Sequence, residues 1–299
     1  KSWTSCAPTH PGAFASRWMM PPNSSLPKLG IIAGGGDLPL QVIQACLQSR
    51  RDFFVIALKD QANPSIVDAV PHQWISLGKS GKALKKLKEQ NVSDLVMVGS
   101  VSRPTFSSIG LDLWTTKFLV KAGAAALGDD GLLGALVREI EKEGFRVIGV
   151  EEIMPSLIAP SGVYGKHSPD EQALADIRRG VEVARGIGAL DVGQGAVVQE
   201  GLVLGVEAIE GTDRLLKRCK VLKRDGVGGV LVKLKKPDQE SRADLPTVGV
   251  ETIRQAADAG LRGIAIEAGN TLVVDRENVI AEADKAGLFV IGIDVENET

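Results

Sequence analysis

The sequence predicts an α/β protein of two domains, an N-terminal parallel sheet with helices on both faces and a C-terminal α/β domain that contains a β-hairpin. Three observations carry that expectation. Short runs rich in Val, Ile and Leu alternate with helical stretches from Lys28 to Val150, and strands that alternate with helices imply a parallel sheet. A stretch rich in Pro and Gly, Met154 to Ser168, then breaks the alternation, as linkers do. Beyond it a second alternating series runs to the C-terminus, and 299 residues suit two cores better than one.

Taken in order, residues 1–27 hold five prolines and no acidic residue and begin with Lys. They are set aside as a disordered or non-native extension, either the remnant of a transit peptide or read-through upstream of a start at Met19 or Met20. The second is favoured because the globular pattern begins at Lys28. The N-terminal domain is placed at 28–155. It opens with the strand KLGIIA, a turn at Gly34-Gly35-Gly36, and a helix from Leu38 to Arg50 with Pro39 in its first turn. FFVIAL, HQWISL, a Lys-rich helix from Gly81 to Gln90, and DLVMVG follow. One or two helices between Trp114 and Glu143 precede FRVIGV. This is a Rossmann-like series, whose ligand edge lies at the carboxyl ends of the strands. Two loops lie there, Gly34-Gly35-Gly36-Asp37 and Ser100 to Pro104. The first is either a phosphate cradle of backbone N–H groups at a helix start or a turn needing positive φ. In the second, Arg103 is either a phosphate clamp or an ordinary surface arginine.

The linker is placed at 156–167 and the C-terminal domain at 168–299. Ser168-Pro169-Asp170-Glu171 reads as a capping box with Pro at N1, and Lys166 lies just before it, at the mouth of the expected cleft. After the hairpin come VLVKL, Asp244-Leu245-Pro246-Thr247, a helix through Ala259, GIAIEAG, LVVD, a helix from Arg276 to Lys285, and LFVIGI.

Composition excludes several classes. A net charge of −2, pI near 6.0 and 4% aromatic residues give nucleic acid no footprint. No apolar run approaches the roughly 18–20 residues that cross a bilayer. Cys6, Cys46 and Cys219 form neither a disulfide framework nor a zinc pattern, and the three histidines lack partners at ligand spacing. A reducing cytoplasm is the simplest setting. Gly78-Lys79-Ser80 lacks the phosphate-loop glycine at Gln73, and REIEKEG puts Lys142 where a Nudix box needs a carboxylate.

The most informative stretch is Asp191 to Asp213, where five carboxylates sit on an apolar, Gly-rich framework without a Lys or Arg. Two Val- and Leu-rich runs around Glu200-Gly201 read as a hairpin. With those two residues as the loop, Gln199 faces Leu202, Gln194 faces Glu207, and Asp191 faces Glu210, so four polar side chains gather at the open end. Thr212 is then a plausible N-cap for the helix that follows. Carboxylates converging at a helix start suit Mg²⁺ and phosphate oxygens. Alternatively Glu207 and Glu210 occupy the wet face of a strand and Asp213 complements the helix dipole. Asp244, before a helix that Thr247 can cap, is either one more ligand or a turn residue.

In order along the chain, KLGIIAGGGDLP, VSRPTF, EKEGFRVIG, YGKHSP, LDVGQGAVVQEGLVLGVEAIEGTD, KPDQESRADLPTVGV and LVVDRE resemble the LpxI-type UDP-2,3-diacylglucosamine pyrophosphatases of Gram-negative lipid A synthesis. The resemblance spans Lys28 to about Val295. It implies a cytoplasmic hydrolase, peripheral at the inner membrane, that splits the diphosphate of UDP-2,3-diacylglucosamine into UMP and 2,3-diacylglucosamine 1-phosphate (lipid X). A divalent cation, Mg²⁺ or another such as Mn²⁺, is implied, with Asp244 as the residue most directly engaged. Asp37 and Ser100 depart from the family's usual residues.

Residues and resemblance together lead us to expect Asp244, Glu207 and Glu210 to position the metal, with Gln194, Thr212 and Asp213 orienting water or a phosphate oxygen and Asp191 a weaker member. Arg103 and Lys166 are expected on the diphosphate, and Gly34, Gly35, Gly36, Asp37 and Thr247 on the substrate. Two domains closing on that substrate are also expected, as is a homo-oligomer. An apolar wall for the acyl chains, with Leu113, Trp114, Phe118 and Leu119, is sought in Phe106 to Leu127; otherwise that stretch is a core helix. Two rivals are an NAD(P)-dependent oxidoreductase, against which Pro39 stands at the third glycine position, and a non-catalytic nucleotide sensor.

Overall fold

The computed structural model describes residues 26–101, 110–123 and 129–295. The chain divides into two compact units, the first holding residues up to 121 together with 137–153 and the second holding 122–136 together with the chain from 154 onward, so the helix at 129–142 begins in the second unit and ends in the first. The first is built from β1 (Leu29–Ala33), α1 (Leu38–Ser49), β2 (Phe53–Leu58), α2 (Pro64–Val67), β3 (His72–Ile75), α3 (Ser80–Glu89) and β4 (Asp94–Val98). Then come α4 (Leu113–Ala122), α5 (Asp129–Lys142), β5 (Arg146–Val147) and α6 (Val150–Ile153). Its five strands lie in the order β3-β2-β1-β4-β5 and all pair in parallel. The order reverses between β1 and β4, which is the Rossmann-like switch point. FFVIAL is buried along its whole length, as a strand covered on both faces must be. FRVIGV yields only two strand residues, because Val150 already begins α6. In α4, Trp114 stacks on buried Phe118 with ring centroids 5.7 Å apart, the core reading of that helix. Leu113 and Val120 stay 71% and 78% exposed.

From residue 154 the second unit has a 3₁₀ turn (Pro155–Leu157) and continues through β6 (Gly162–Tyr164), α7 (Glu171–Ala189), β7 (Gly195–Gln199), β8 (Leu202–Val206), α8 (Gly211–Leu222) and β9 (Val230–Lys233). It closes with β10 (Thr247–Val248), α9 (Val250–Asp258), β11 (Gly263–Glu267), β12 (Leu272–Val273), α10 (Arg276–Ala286) and β13 (Phe289–Ile293). Six strands run in the order β6-β13-β11-β9-β7-β8, with β9, β11 and β13 parallel and the other three antiparallel to their neighbours. Strand alternation sorts the core. Leu231, Ile264 and Ile266 pack with α8, α9 and α10, whereas Val230, Val232 and Ala265 pack with Ala173, Ile177, Val181 and Ala184 of α7.

Two expectations are corrected here. The stretch read as a linker, 156–167, supplies β6, which pairs antiparallel with β13, and Ile158 bridges Leu272. Its prolines and glycines bend the chain onto the sheet, and Tyr164 is buried there. The capping box expected at Ser168 does not form, and the helix starts two residues further on with a single side-chain cap. Asp170 is the N-cap of α7, and its carboxylate accepts the Ala173 N–H at 2.8 Å.

Candidate active site

The hairpin turn forms at Glu200 and Gly201, both at positive φ (51° and 77°), as a two-residue I′ turn requires. Buried Asp176 fastens it, accepting both N–H groups at 3.0 and 2.7 Å. Gln199 pairs with Leu202 as expected, but the register shifts between Val197 and Val198, so that Val198 faces Val203 while Val197 faces Gly205. This bulge moves the open end by one residue. The Glu207 N–H donates to the Gly195 carbonyl at 2.7 Å, so Glu207 lies across from Gly195 and not from Gln194. Asp191 does not meet Glu210 in an acidic cluster: Asp191 is held by the Lys236 ammonium at 2.5 Å and Glu210 by Arg218 at 2.7 Å.

What gathers instead is a chain of alternating donors and acceptors at the carboxyl end of β9. Its last residue, Lys233, is 6% exposed and donates to Thr212 Oγ1 at 3.0 Å and to the Thr247 carbonyl at 3.1 Å. Thr212 Oγ1 donates on to Glu207 Oε1 at 2.8 Å. Glu207 is 6% exposed, and its Oε2 is buried with no hydrogen-bond partner. A Cβ on Gly195 would stand 2.7 Å from that oxygen, so any larger residue there would push the end of the Glu207 side chain aside. A second arm holds Asp244, whose Oδ2 accepts from Gln239 Nε2 at 2.7 Å. Gln239 is itself buried, accepts the Lys236 N–H at 3.1 Å, and stands 3.5 Å from Gln194 Oε1. The loop after β9 thus ties Asp244 to Gln194.

Neither threonine caps a helix. Thr212 lies inside α8 with its hydroxyl turned to Glu207, and the N-cap is Glu210, whose carboxylate goes to Arg218 and makes no cap bond. Thr247 begins β10 and donates to the Leu245 carbonyl at 3.1 Å, and α9 is capped at Gly249. Asp213 is exposed in the first turn of α8, where it complements the helix dipole. Lys166 is exposed, with its backbone N–H on Asp284 at 2.7 Å.

In the first unit the glycine loop is spent on the backbone. Gly34 N–H donates to Val98, and Gly35 exchanges two bonds with Ser100, at 2.8 and 3.0 Å. A Cβ on Gly34 would come within 2.5 Å of the Ser100 carbonyl, so close backbone approach explains this glycine. Those two N–H groups are unavailable to a phosphate, which leaves Gly36, at φ 81°, and Asp37, the N-cap of α1, as the loop's exposed part. Arg103 lies outside the described residues.

Among the described residues no group of three or more His, Cys, Asp and Glu could hold a metal ion, so the expected trio of Asp244, Glu207 and Glu210 is not assembled. Glu210 does not fit the role, because its charge is answered by Arg218. Glu207 does fit it, with a buried carboxylate oxygen lacking any partner, and Asp244 offers a second carboxylate. Mg²⁺ is held by one or two carboxylates when phosphate oxygens and water complete its shell. Lys233, Gln239 and Gly195 went unrecognised in the sequence. Lys233 alone leaves a signal there, a single charge inside the apolar run VLVKL.

A doubly wound parallel sheet, followed by a second α/β unit with buried acidic and basic groups at a strand's carboxyl end, defines a two-unit α/β enzyme. The comparisons narrow that class. Residues 28–157 match the LpxI N-terminal domain and residues 160–291 the LpxI C-terminal domain. The chain is 48% identical over 274 residues to the UDP-2,3-diacylglucosamine pyrophosphatase LpxI of Caulobacter vibrioides, an alignment covering 89% of this chain and 98% of that relative. The chain belongs to the LpxI family.

Proposed function

We propose that the chain hydrolyses the diphosphate of UDP-2,3-diacylglucosamine to UMP and 2,3-diacylglucosamine 1-phosphate with the help of a divalent cation, Mg²⁺ or Mn²⁺. Similarity to the Caulobacter vibrioides pyrophosphatase along nearly its whole length carries this reading. Water attacks one phosphorus, the bridging P–O bond breaks, and the proton of the water leaves with solvent or a carboxylate. A bound cation would neutralise charge on the phosphate oxygens, which otherwise repel the nucleophile. Glu207 and Asp244 would hold it. Thr212 keeps the Glu207 carboxylate oriented, and Gln239 does the same for Asp244. Gln194, linked to Asp244 through Gln239, would orient the water. Contact with the inner membrane belongs to this reading because the substrate carries two acyl chains. No described helix is long and apolar enough to cross a membrane.

The test is UMP release by the purified chain with Mg²⁺, with Mn²⁺ and with EDTA, beside Asp244→Ala. Metal-dependent release that falls by about 10²–10³-fold in a folded Asp244→Ala protein is expected. Release that EDTA leaves untouched would remove the metal from the reading, and none under any metal would sink the pyrophosphatase.

A further inference from the structure

The apolar strand β9 ends in a buried ammonium, and this is costly unless its hydrogens are taken. Two of its three hydrogens are taken by oxygens from different segments. Thr212 Oγ1 belongs to the first turn of α8 and leads to Glu207, and the Thr247 carbonyl follows Asp244 by three residues. Lys233 therefore fastens the arm that carries Glu207 to the arm that carries Asp244. It also sets the direction of a hydrogen. An ammonium has no acceptor, so Thr212 Oγ1 must accept from it, and the hydroxyl's one hydrogen goes to Glu207 Oε1. Glu207 Oε2 is left buried and unpartnered, as observed.

We propose that Lys233 is a positioning residue of the hydrolase: it sets the separation of Glu207 and Asp244 and, through Thr212, presents Glu207 Oε2 to the reacting centre. This rests on the pyrophosphatase reading above. Lys233 acts through other groups, so its loss is expected in kcat and not in KM.

The experiment measures UMP release by the wild type, Lys233→Met, Thr212→Val, Thr212→Ser and the Lys233→Met/Thr212→Val double variant, with thermal melts so that rates refer to folded protein. Methionine keeps the length of the lysine without its charge. Lys233→Met and Thr212→Val are each expected to lower kcat about 100-fold, the scale of an ångström-sized misplacement, with KM within about threefold. The double variant should lose no more than the worse single, as residues acting in series do. Thr212→Ser should recover about tenfold or more of what Thr212→Val loses, because the hydroxyl is restored. A crystal structure of Lys233→Met should show the Glu207–Thr212 bond broken or re-aimed.

Unchanged kcat in Lys233→Met, a rise in KM alone, multiplied losses in the double variant, or an unmoved Glu207 would each overturn the proposal. If Lys233→Met does not fold, the Thr212 pair decides, and a fully active Thr212→Val overturns it. An inactive wild type sinks the pyrophosphatase and this role with it, whereas an active wild type with indifferent variants sinks this role alone.

Discussion

Glu207 and Glu210 stand three positions apart and look equivalent in the sequence, yet their surroundings differ in kind. Glu207 is buried, bonded through one oxygen and bare at the other, while Glu210 spends its charge on Arg218 near the surface. Glu207→Gln is therefore expected to reduce UMP release by at least about 100-fold, the loss typical of a group that acts on transition-state charge. Glu210→Gln should stay within about threefold of wild type, since partly exposed ion pairs contribute little. Steady-state rates decide, and equal losses would return Glu210 to the site. Glu207, Gln194 and Thr212 drew notice because a carboxylate, an amide and a hydroxyl stand out in an apolar stretch, and Asp244 drew it through the resemblance of its DLPT segment to the family. Gln239 and Gly195 did not. One acts through an amide five residues from Asp244, and the other through the side chain it lacks.

The hairpin marks how far local sequence reaches at the scale of an element. A Glu-Gly pair between two apolar runs sufficed for the turn and its first cross-strand pair, since positive φ at both loop residues is a local demand. The bulge was invisible, because an extra residue in a strand is accommodated by whatever packs against it. That single shift moved Glu207 from Gln194 to Gly195. The glycine loop carries a related lesson, being built for contact with the segment after β4. Gly34→Ala should push a Cβ against the Ser100 carbonyl, 2.5 Å away. A destabilisation of about 1–3 kcal/mol, the usual range for overpacking, is expected in urea unfolding. Unchanged stability would show that the two loops can separate freely.

Each unit of the molecule carries a carboxylate whose proton affinity is depressed by its partners. Glu143, in the first, lies below its ordinary 4.5 because the Lys88 ammonium and the Trp114 indole donate to it. Asp170, in the second, lies below 3.8 through Arg262 and the Ala173 N–H. A folded-state value below the unfolded one stabilises the protein above the unfolded value, and the gain is lost as pH falls through the folded value. Both groups are well solvated, so the effect is modest, but its sign is set. Urea midpoints should fall between pH 7 and pH 3, and a midpoint that holds at pH 3 would contradict this. By itself the sequence determined the alternation of strands and helices, the two-domain α/β class, the two-residue hairpin turn and the family, all of which rest on short-range periodicity or on motifs read in order. Tertiary structure alone decided that the supposed linker is an edge strand, that Thr212 serves Glu207 and not a helix cap, and that Lys233 joins two acidic arms. Those outcomes depend on which groups meet across the fold, and a buried polar atom takes whatever partner the packing brings within reach.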